Sequence, residues 1–294
     1  MKLGLVTVLY KSDDVLPDFF RSIYVQTFKN YKLYLIDNSP SIKTKNIIAN
    51  LQSTYSLTAI EHIENEHNVG VAAANNIGIK KAIEDKCADQ IILNNDIVFN
   101  NPNLFDALIQ LANKTNHGII APKIFFYNSK KIWYAGSSFT KWNVNVKHRG
   151  EFEEDTNKYL SGVTPYAPTC FVYVKKEVFE KVGLMDERYF VYVDDVDFMY
   201  RVVKHGFSIW YENNLSLEHK ISQSTGGKFS DFSLYYTVRN RIFFARKFYN
   251  SPKVFIAAIY IIVSLTYHTI FTGKRLSALH KIFKAVKAGY QIPC

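Results

Sequence analysis

Between Phe190 and Arg201 the chain reads FVYVDDVDFMYR, with Asp194, Asp195 and Asp197 inside four positions and apolar residues on both sides. Carboxylates this close repel one another and resist leaving water, which is how a protein tunes an acid or base. A helix N-terminus also favours negative charge. A helix starting near Asp195 sets Val196, Met199, Val202 and Val203 on one apolar stripe. It also places Asp197 four residues before Arg201, a helix-surface ion pair worth about 0.2–0.5 kcal/mol. Asp194 and Asp195 stay at the helix mouth. One acid there satisfies the dipole; two, walled by aromatics, fit a shaped site better.

Other polar groups follow apolar runs. Asp37 closes YLIDNS, where it can accept hydrogen bonds from a ribose or base N–H, or simply form an Asp-Asn turn. In HNVGVAAANNIGI, residues 67–79, Gly70 and Gly78 allow close backbone approach, and Asn68, Asn75 and Asn76 are uncharged donors and acceptors. The small residues at 72–74 let a helix start press on a ligand, its N–H groups favouring phosphate. Helix capping alone explains the same residues, and neither GxGxxG nor a Walker lysine is present. LNND, residues 93–96, ends another strand, and Asp96 there suits Mg²⁺ or Mn²⁺ bridging a diphosphate. His219, in LSLEHKISQS, is the candidate second ligand, although a lone histidine is more often structural.

The elements that carry these groups alternate. KLGLVTVLY reads as a buried strand, and residues 13–27 as a helix with Val15, Phe19, Ile23 and Gln26 on one side and Ser12 or Asp13 as cap. A strand YKLYLIDNS, a helix at about 42–52, a strand near 58–63, a helix to about Asp85 and the strand DQIILNND follow. Strand and helix at this spacing predict parallel βαβ units, which bind ligands at the carboxyl ends of their strands. After Pro102 the pattern shifts to short strands and loops over 117–174, an antiparallel or mixed extension. A helix at 175–182, the acidic segment and the strand FSIWYE complete the body, and three helices at about 231–249, 253–271 and 275–289 form a tail.

With 48% apolar and 21% charged residues the 294-residue chain is globular, as one large or two modest domains. Cys87, Cys170 and Cys294 are scattered without a CxxC pair, so free thiols in a reducing compartment are expected. MKLGLVTVLYKS is too short and strand-like for a secretory signal. The net charge of +10 is localised: up to Val238, 26 Lys/Arg face 26 Asp/Glu, whereas Arg239–Cys294 holds 10 Lys/Arg and no acid. Such a tail argues for a localised anionic partner. Residues 254–271 are apolar but interrupted by Ser264, Thr266, His268 and Thr269, as in a buried or membrane-surface helix rather than a span. KRLSALHKIFKAVKAGY groups Leu276, Leu279, Ile282, Phe283 and Val286 on one side, with Lys281, Lys284 and Lys287 elsewhere, a basic amphipathic helix. It suits docking on an anionic inner leaflet, or a cap on the body or on a second copy. Interleaved aliphatics argue against nucleic acid.

Taken in order, VTVLYKS, LIDNS, NVGVAAANNIGI, LNND, VGLMDERYFVYVDDVDFMYRVVKHG, LEHKISQS and YYTVRNRIFFARK span roughly residues 4–248. This series resembles the family 2 glycosyltransferases, especially their bacterial rhamnosyltransferase-like branch. The resemblance implies an α/β, GT-A (nucleotide-diphospho-sugar transferase) fold: a Rossmann-like mixed sheet flanked by helices, with a C-terminal helical extension. Residues 1–230 would be catalytic, about 1–100 binding the nucleotide sugar and 101–230 the acceptor, and 231–294 the basic helical extension. The implied reaction is inverting transfer from a nucleotide-diphosphate sugar, dTDP-rhamnose or a UDP-sugar, to a hydroxyl of a glycan or lipid-linked acceptor in surface polysaccharide synthesis. The implied setting is cytoplasmic, peripheral on the inner face of the membrane, with a homo-oligomer forming through the C-terminal helices.

Residue by residue, Asp37 matches the acid that holds the nucleoside, and Asn68 with Gly70 a donor-binding loop. Thr7, Tyr10, Asn76 and Asn95 complete the implied donor set. Asp96 matches the last acid of a DxD-type motif for Mg²⁺ or Mn²⁺, with Asn94 where its first acid would be, and His219 matches a metal-binding histidine. Asp195 matches the general base, and Asp194 stands in place of the usual glutamate. Arg239 and Arg241 would neutralise the leaving diphosphate, or merely solvate their helix. A sugar nucleotidyltransferase would need a glycine-rich basic loop that VTVLYKSDD lacks. A non-catalytic nucleotide-sugar-binding scaffold would bind donor and release no nucleotide diphosphate.

Overall fold

The computed structural model describes residues 1–140, 144–221, 230–271 and 277–294. The amino-terminal half alternates: β1 (Leu3–Leu9), α1 (Leu16–Tyr24), β2 (Tyr31–Asp37), α2 (Ile42–Tyr55), β3 (Ile60–Glu64), α3 (Val71–Glu84) and β4 (Asp89–Leu93). These strands are parallel in the order β3-β2-β1-β4. β1 and β2 are buried almost throughout, which is why they read as continuous Leu/Val/Ile runs rather than alternating ones. The chain leaves β1 towards β2 on one side and returns to β4 on the other. That reversal opens a crevice at the carboxyl ends of β1 and β4, where such sheets bind ligands.

The second half brings β5 (Ile97–Val98), α4 (Leu104–Lys114), β6 (Ile119–Phe126), β7 (Ile132–Tyr134), β8 (Ser137–Thr140), β9 (Asn145–His148), β10 (Gly162–Thr164), β11 (Phe171–Lys175), α5 (Lys176–Val182), α6 (Asp194–Lys204) and β12 (Ile209–His219). β11 runs antiparallel to β4 and extends the sheet through β6, β12 and β10. β8 and β9 form a separate two-stranded ribbon.

Three local expectations change. α1 begins at Leu16 with no side-chain cap; the Ser12 carbonyl accepts from the amides of Val15 and Leu16, and Asp13 is engaged by Thr44 and Lys43. α4 was not anticipated after Pro102, though Leu104, Phe105, Leu108 and Ala112 bury one face of it. β12 outlasts FSIWYE because, past an irregularity between Glu212 and Ser216, it re-pairs with β6 as far as His219.

The tail helices are α7 (Asp231–Phe248), α8 (Ser251–Phe271) and α9 (Ser277–Gln291). No described helix is long and apolar enough to cross a membrane. α7 shares a buried cluster with the loop before α6: Tyr189 and Val193 pack with Phe243, Phe244, Ala245 and Ala257. On its other side Val238 and Ile242 pack with Ile261 of α8 and with Ile282 and Ala285 of α9. Gly289 permits this approach, since a Cβ there would lie 2.5 Å from the Arg239 carbonyl oxygen. Phe243→Ala should therefore destabilise the whole chain by about 3–5 kcal/mol, read as a lower urea midpoint.

Candidate active site

A cavity of about 380 Å³ occupies the crevice. Val8, Tyr10 and Ser12 line it from the end of β1, Asn38 from the end of β2, and Asn94, Asn95 and Asp96 from the end of β4. Asn68, Gly70, Val71 and Asn75 contribute the start of α3, and Phe190, Val191 and Phe232 close the far side. Asn95 fastens two of these strand ends, its Nδ2 donating to the Val8 carbonyl at 2.6 Å. Asn68 Oδ1 accepts from the Gly70 amide at 2.9 Å, and Asn38 Nδ2 donates to the Gly70 carbonyl at 3.2 Å.

Gly70 has φ +88°, and a Cβ on it would stand 2.5 Å from the Phe190 carbonyl oxygen. That same oxygen accepts the Val71 amide at 2.5 Å. The expectation of free N–H groups at this helix start is corrected in part, because one of them holds the acidic loop.

Several expected donor residues sit behind the wall rather than in it. Asp37 is fully buried, accepting from the Ser39 amide at 2.9 Å and facing His62 Nε2 at 3.2 Å. The bond from the Ser39 amide is that of the turn, and the neighbouring Asn38 lines the cavity. Thr7 is buried with its hydroxyl unpartnered. Asn76 is turned away, bracketing the amide and carbonyl of Met185 at 3.0 and 2.9 Å, while Asn75 faces the cavity. Arg239 donates to the Arg188 carbonyl at 2.8 Å, and burial pulls Arg241 down to about 10. Neither arginine lines the cavity, whereas Phe232 of the same helix does.

Asp96 and His219 meet as expected. Antiparallel pairing of β5 with β12 sets His219 opposite Ile97, and His219 Nε2 lies 3.1 Å from Asp96 Oδ1, both side chains largely buried. Among the described residues no group of three or more His, Cys, Asp or Glu is gathered for a metal. The pair nevertheless fits one ion: neighbouring donors of an octahedral Mg²⁺-sized ion, each at about 2.1 Å, stand about 3 Å apart. Among the described residues the buried His219 Nδ1 has no hydrogen-bond partner, so Nε2, the ring nitrogen that faces Asp96, is the one placed to serve as a ligand.

The three aspartates occupy three environments. Phe190, Tyr192 and Val193 all have positive φ, at 60°, 63° and 67°, costing about 1–3 kcal/mol each for such bulky residues. Asn240 of α7, fully buried, offsets this by donating Nδ2 to the carbonyls of Tyr189, Val191 and Tyr192, each at 2.8 Å. The Phe190 ring stacks on Tyr236. The held loop delivers Asp194 buried and Asp195 half-exposed at the start of α6. Burial, then the charge of Asp195, raises Asp194 well above the usual carboxylate range. Burial also raises Asp195, while hydrogen bonds from the Tyr166 hydroxyl and the Val196 amide oppose the rise. Burial pushes the Cys170 thiol up, helped by the charges of Asp96 and Asp195.

Asp197 departs from the surface ion pair expected of it. It is fully buried and accepts from Arg201 Nε at 2.7 Å, Lys247 Nζ at 2.6 Å and the Tyr189 hydroxyl at 3.1 Å. On the same helix Phe198, Met199 and Val202 are buried, and Val203, expected in the stripe, is 45% exposed. Sequence reasoning missed Asn240, Tyr166, Asn38 and Phe232. An asparagine inside the apolar stretch VRNRIFFA is the one signal that could have drawn attention to the first of them.

Two outcomes follow. Asn240→Ala takes a donor from the carbonyls of Tyr189, Val191 and Tyr192, of which Tyr189 keeps the Val191 amide, and should lower stability by about 2–3 kcal/mol, with activity lost alongside. Asp194 has its folded pKa raised, so its destabilising charge appears as pH climbs through that value and is absent below the unfolded one. Asp194→Asn should therefore raise Tm more at pH 8 than at pH 5.

Comparison with known proteins agrees with this architecture. The family described as Glycosyl transferase family 2 matches residues 5–183. A low-salt glycan biosynthesis hexosyltransferase, Agl10 of Haloferax volcanii, is 23% identical over 242 residues, 81% of this chain and 74% of that protein. A dTDP-rhamnosyl transferase, RfbF of Shigella flexneri, is 22% identical over 268 residues, 88% of this chain and 85% of that one. Among solved structures, the mannosyltransferase PcManGT of Pyrobaculum calidifontis, in complex with GDP-Man and Mn²⁺, is 13% identical with a TM-score of 0.61, covering 100% of this chain and 76% of that one. TarS 1-349 of S. aureus is likewise 13% identical with a TM-score of 0.63, covering 99% and 80%. The mixed sheet, its flanking helices and these matches together make the chain a GT-A-fold glycosyltransferase of family 2.

Proposed function

We propose that this protein moves a sugar, with inversion, from a nucleotide-diphosphate donor to a hydroxyl of a glycan or lipid-linked acceptor in surface polysaccharide synthesis. One observation carries the reading: a single cavity wall unites the Asn68–Gly70 loop, Asp96 and the loop that leads into Asp194 and Asp195. Tyr10 and Asn38 flank the nucleoside end, with Asp37 bracing the turn behind them, and the donor diphosphate lies towards Asp96. Asp96 and His219 would hold a divalent ion, Mg²⁺ or Mn²⁺, which would supply positive charge to offset that of the departing diphosphate. Asp195 takes the proton of the acceptor hydroxyl as its oxygen bonds to the anomeric carbon and the bond to the diphosphate breaks on the opposite face. Asp194, which burial drives towards its neutral form, leaves the negative charge of the pair on Asp195. The related dTDP-rhamnosyl transferase and hexosyltransferase support dTDP-rhamnose or a UDP-hexose as first donors to test.

Apart from Phe232, the residues that line the site belong to a catalytic unit of residues 1–230, with 231–294 as its basic extension. Phe255, Ile256, Ile259 and Val263 of α8 are exposed, and the segment from Arg239 onward holds no acid. This supports a seat on the anionic inner leaflet of the membrane, where each basic residue near the surface adds about 1 kcal/mol. A second copy packing on the same face is the competing occupant.

Nucleotide diphosphate release from a panel of nucleotide sugars, with and without Mn²⁺, tests the reaction. Asp195→Asn should lose about 10²–10⁴-fold in turnover while donor affinity survives. Binding without release for every donor and acceptor would instead favour a scaffold. Co-sedimentation with anionic liposomes should fall on raising salt and on Phe255→Ser/Ile259→Ser; a concentration-dependent dimer lost in the same variant would point to the second copy.

A further inference from the structure

Tyr166 lies in the loop between β10 and β11, outside every motif that the sequence singled out. Its side chain is buried, and its hydroxyl donates to Asp195 Oδ2. The residue itself is held with unusual redundancy. Its backbone carbonyl accepts from the Tyr134 hydroxyl at 2.8 Å, Ser137 Oγ at 3.0 Å and Thr164 Oγ1 at 3.2 Å. The His148 ring stacks on its ring at a centroid distance of 6.1 Å. β7, β8, β9 and β10 thus converge on one tyrosine whose polar end meets one carboxylate.

The other oxygen of that carboxylate, Oδ1, accepts the Val196 amide at 2.8 Å. With both oxygens held, the plane of the carboxylate is fixed while Asp195 remains half-exposed. We infer that Tyr166 is a positioning residue for Asp195, aiming its carboxylate and keeping it ionised for proton transfer. This rests on the assignment of Asp195 as the base. Among the described residues, the titratable groups that bear on Asp195 are the Tyr166 hydroxyl from the β10–β11 loop, which bonds it, and Asp194 on its own helix and Cys170 ahead of β11, which feel its charge. Asp194 and a buried neutral thiol do nothing to favour a second negative charge. Among the described residues the Tyr166 hydroxyl is the side chain that does, because a hydrogen bond to the charged form lowers a carboxylate pKa.

The sign of the effect follows. Without the hydroxyl, Asp195 ionises at higher pH, so the acid limb of the pH–rate profile moves up. The donor cavity is lined by other residues, so the donor KM should stay. The test is Tyr166→Phe, which removes one oxygen, assayed by nucleotide diphosphate release at saturating metal. We expect kcat to fall about 10-fold at neutral pH and the acid limb of kcat/KM to rise by about one pH unit, with donor KM within twofold. Ser137→Ala, which loosens the Tyr166 carbonyl, should move the limb the same way by less, and it stands alone if the first variant does not fold. An unshifted limb, or a loss uniform across pH, in the variants that fold overturns the role even where Tm falls. Parallel Asp195→Asn assays separate the two claims: full turnover there removes the base and this role with it, whereas a dead Asp195→Asn beside an unshifted Tyr166→Phe removes the Tyr166 role alone.

Discussion

The hydrogen bond from the Val71 amide to the Phe190 carbonyl is the contact on which the site depends. It joins segments 119 positions apart, the start of α3 on the amino-terminal half and the loop that presents the acidic pair. It forms only because residue 70 lacks a Cβ, which would stand 2.5 Å from the accepting oxygen. Gly70 therefore acts less as a free phosphate cradle than as the gap through which two halves of the protein touch. The price on the other side is a run of bulky residues at positive φ, which persists because Asn240 supplies donors to three carbonyls of that run. The donor wall and the proposed base are thus one mechanical unit.

That unit explains why three aspartates can crowd together. Asp197 is neutralised by Arg201 and Lys247 and works as a buried hub joining α6 to α7. Breaking such a pair is costly, about 3–5 kcal/mol, because it strands a buried charge. Among the described residues no cation pairs with Asp194, and burial drives it towards its neutral form. Asp195 is left as the half-exposed acid, with a tyrosine on one oxygen and an amide on the other. Sequence adjacency puts all three at the same helix start; the field around each makes them different groups.

The parallel half was legible because its rules are local. Fully buried strands are written as apolar runs, and the polar residues that end them must fall at the crevice, as Tyr10, Asn95 and Asp96 do. Asp96 and His219 meet across 123 positions of sequence; residue chemistry made His219 a candidate and the resemblance strengthened it, since no periodicity reveals the pairing of β5 with β12. The acidic segment was sorted only in part: helical spacing gives the Asp197–Arg201 pair, but Lys247, the second cation on Asp197, arrives from α7. Tyr166 was invisible: TPYAP carries no period, and its role exists only once four short strands have converged. Asn76 and Asn75 were indistinguishable as letters; one helical step of 100° turns one onto Met185 and the other into the cavity.

The tail shows how a charge count changes once it is folded. Ten cations without an acid read as a free basic surface. Yet Lys247 is spent on Asp186 and Asp197, Lys281 pairs with Asp231, and Arg239 and Arg246 donate to backbone carbonyls. Burial pushes Asp186 up, but the hydrogen bonds from Arg188 and Lys247 more than reverse this and hold it far below the usual range. Several tail charges are therefore structural, fastening α7 to the acidic loop and α9 to α7. Lys253, Lys284 and Lys287 are the exposed lysines among the described tail residues. A surface attachment built on these alone is weak in salt, so the exposed Phe255, Ile256, Ile259 and Val263 of α8 must supply most of its energy. Because α8 packs on α7, and α7 holds the loop that carries Asp195, whatever covers that apolar face bears on the same helix that sets the geometry of the site.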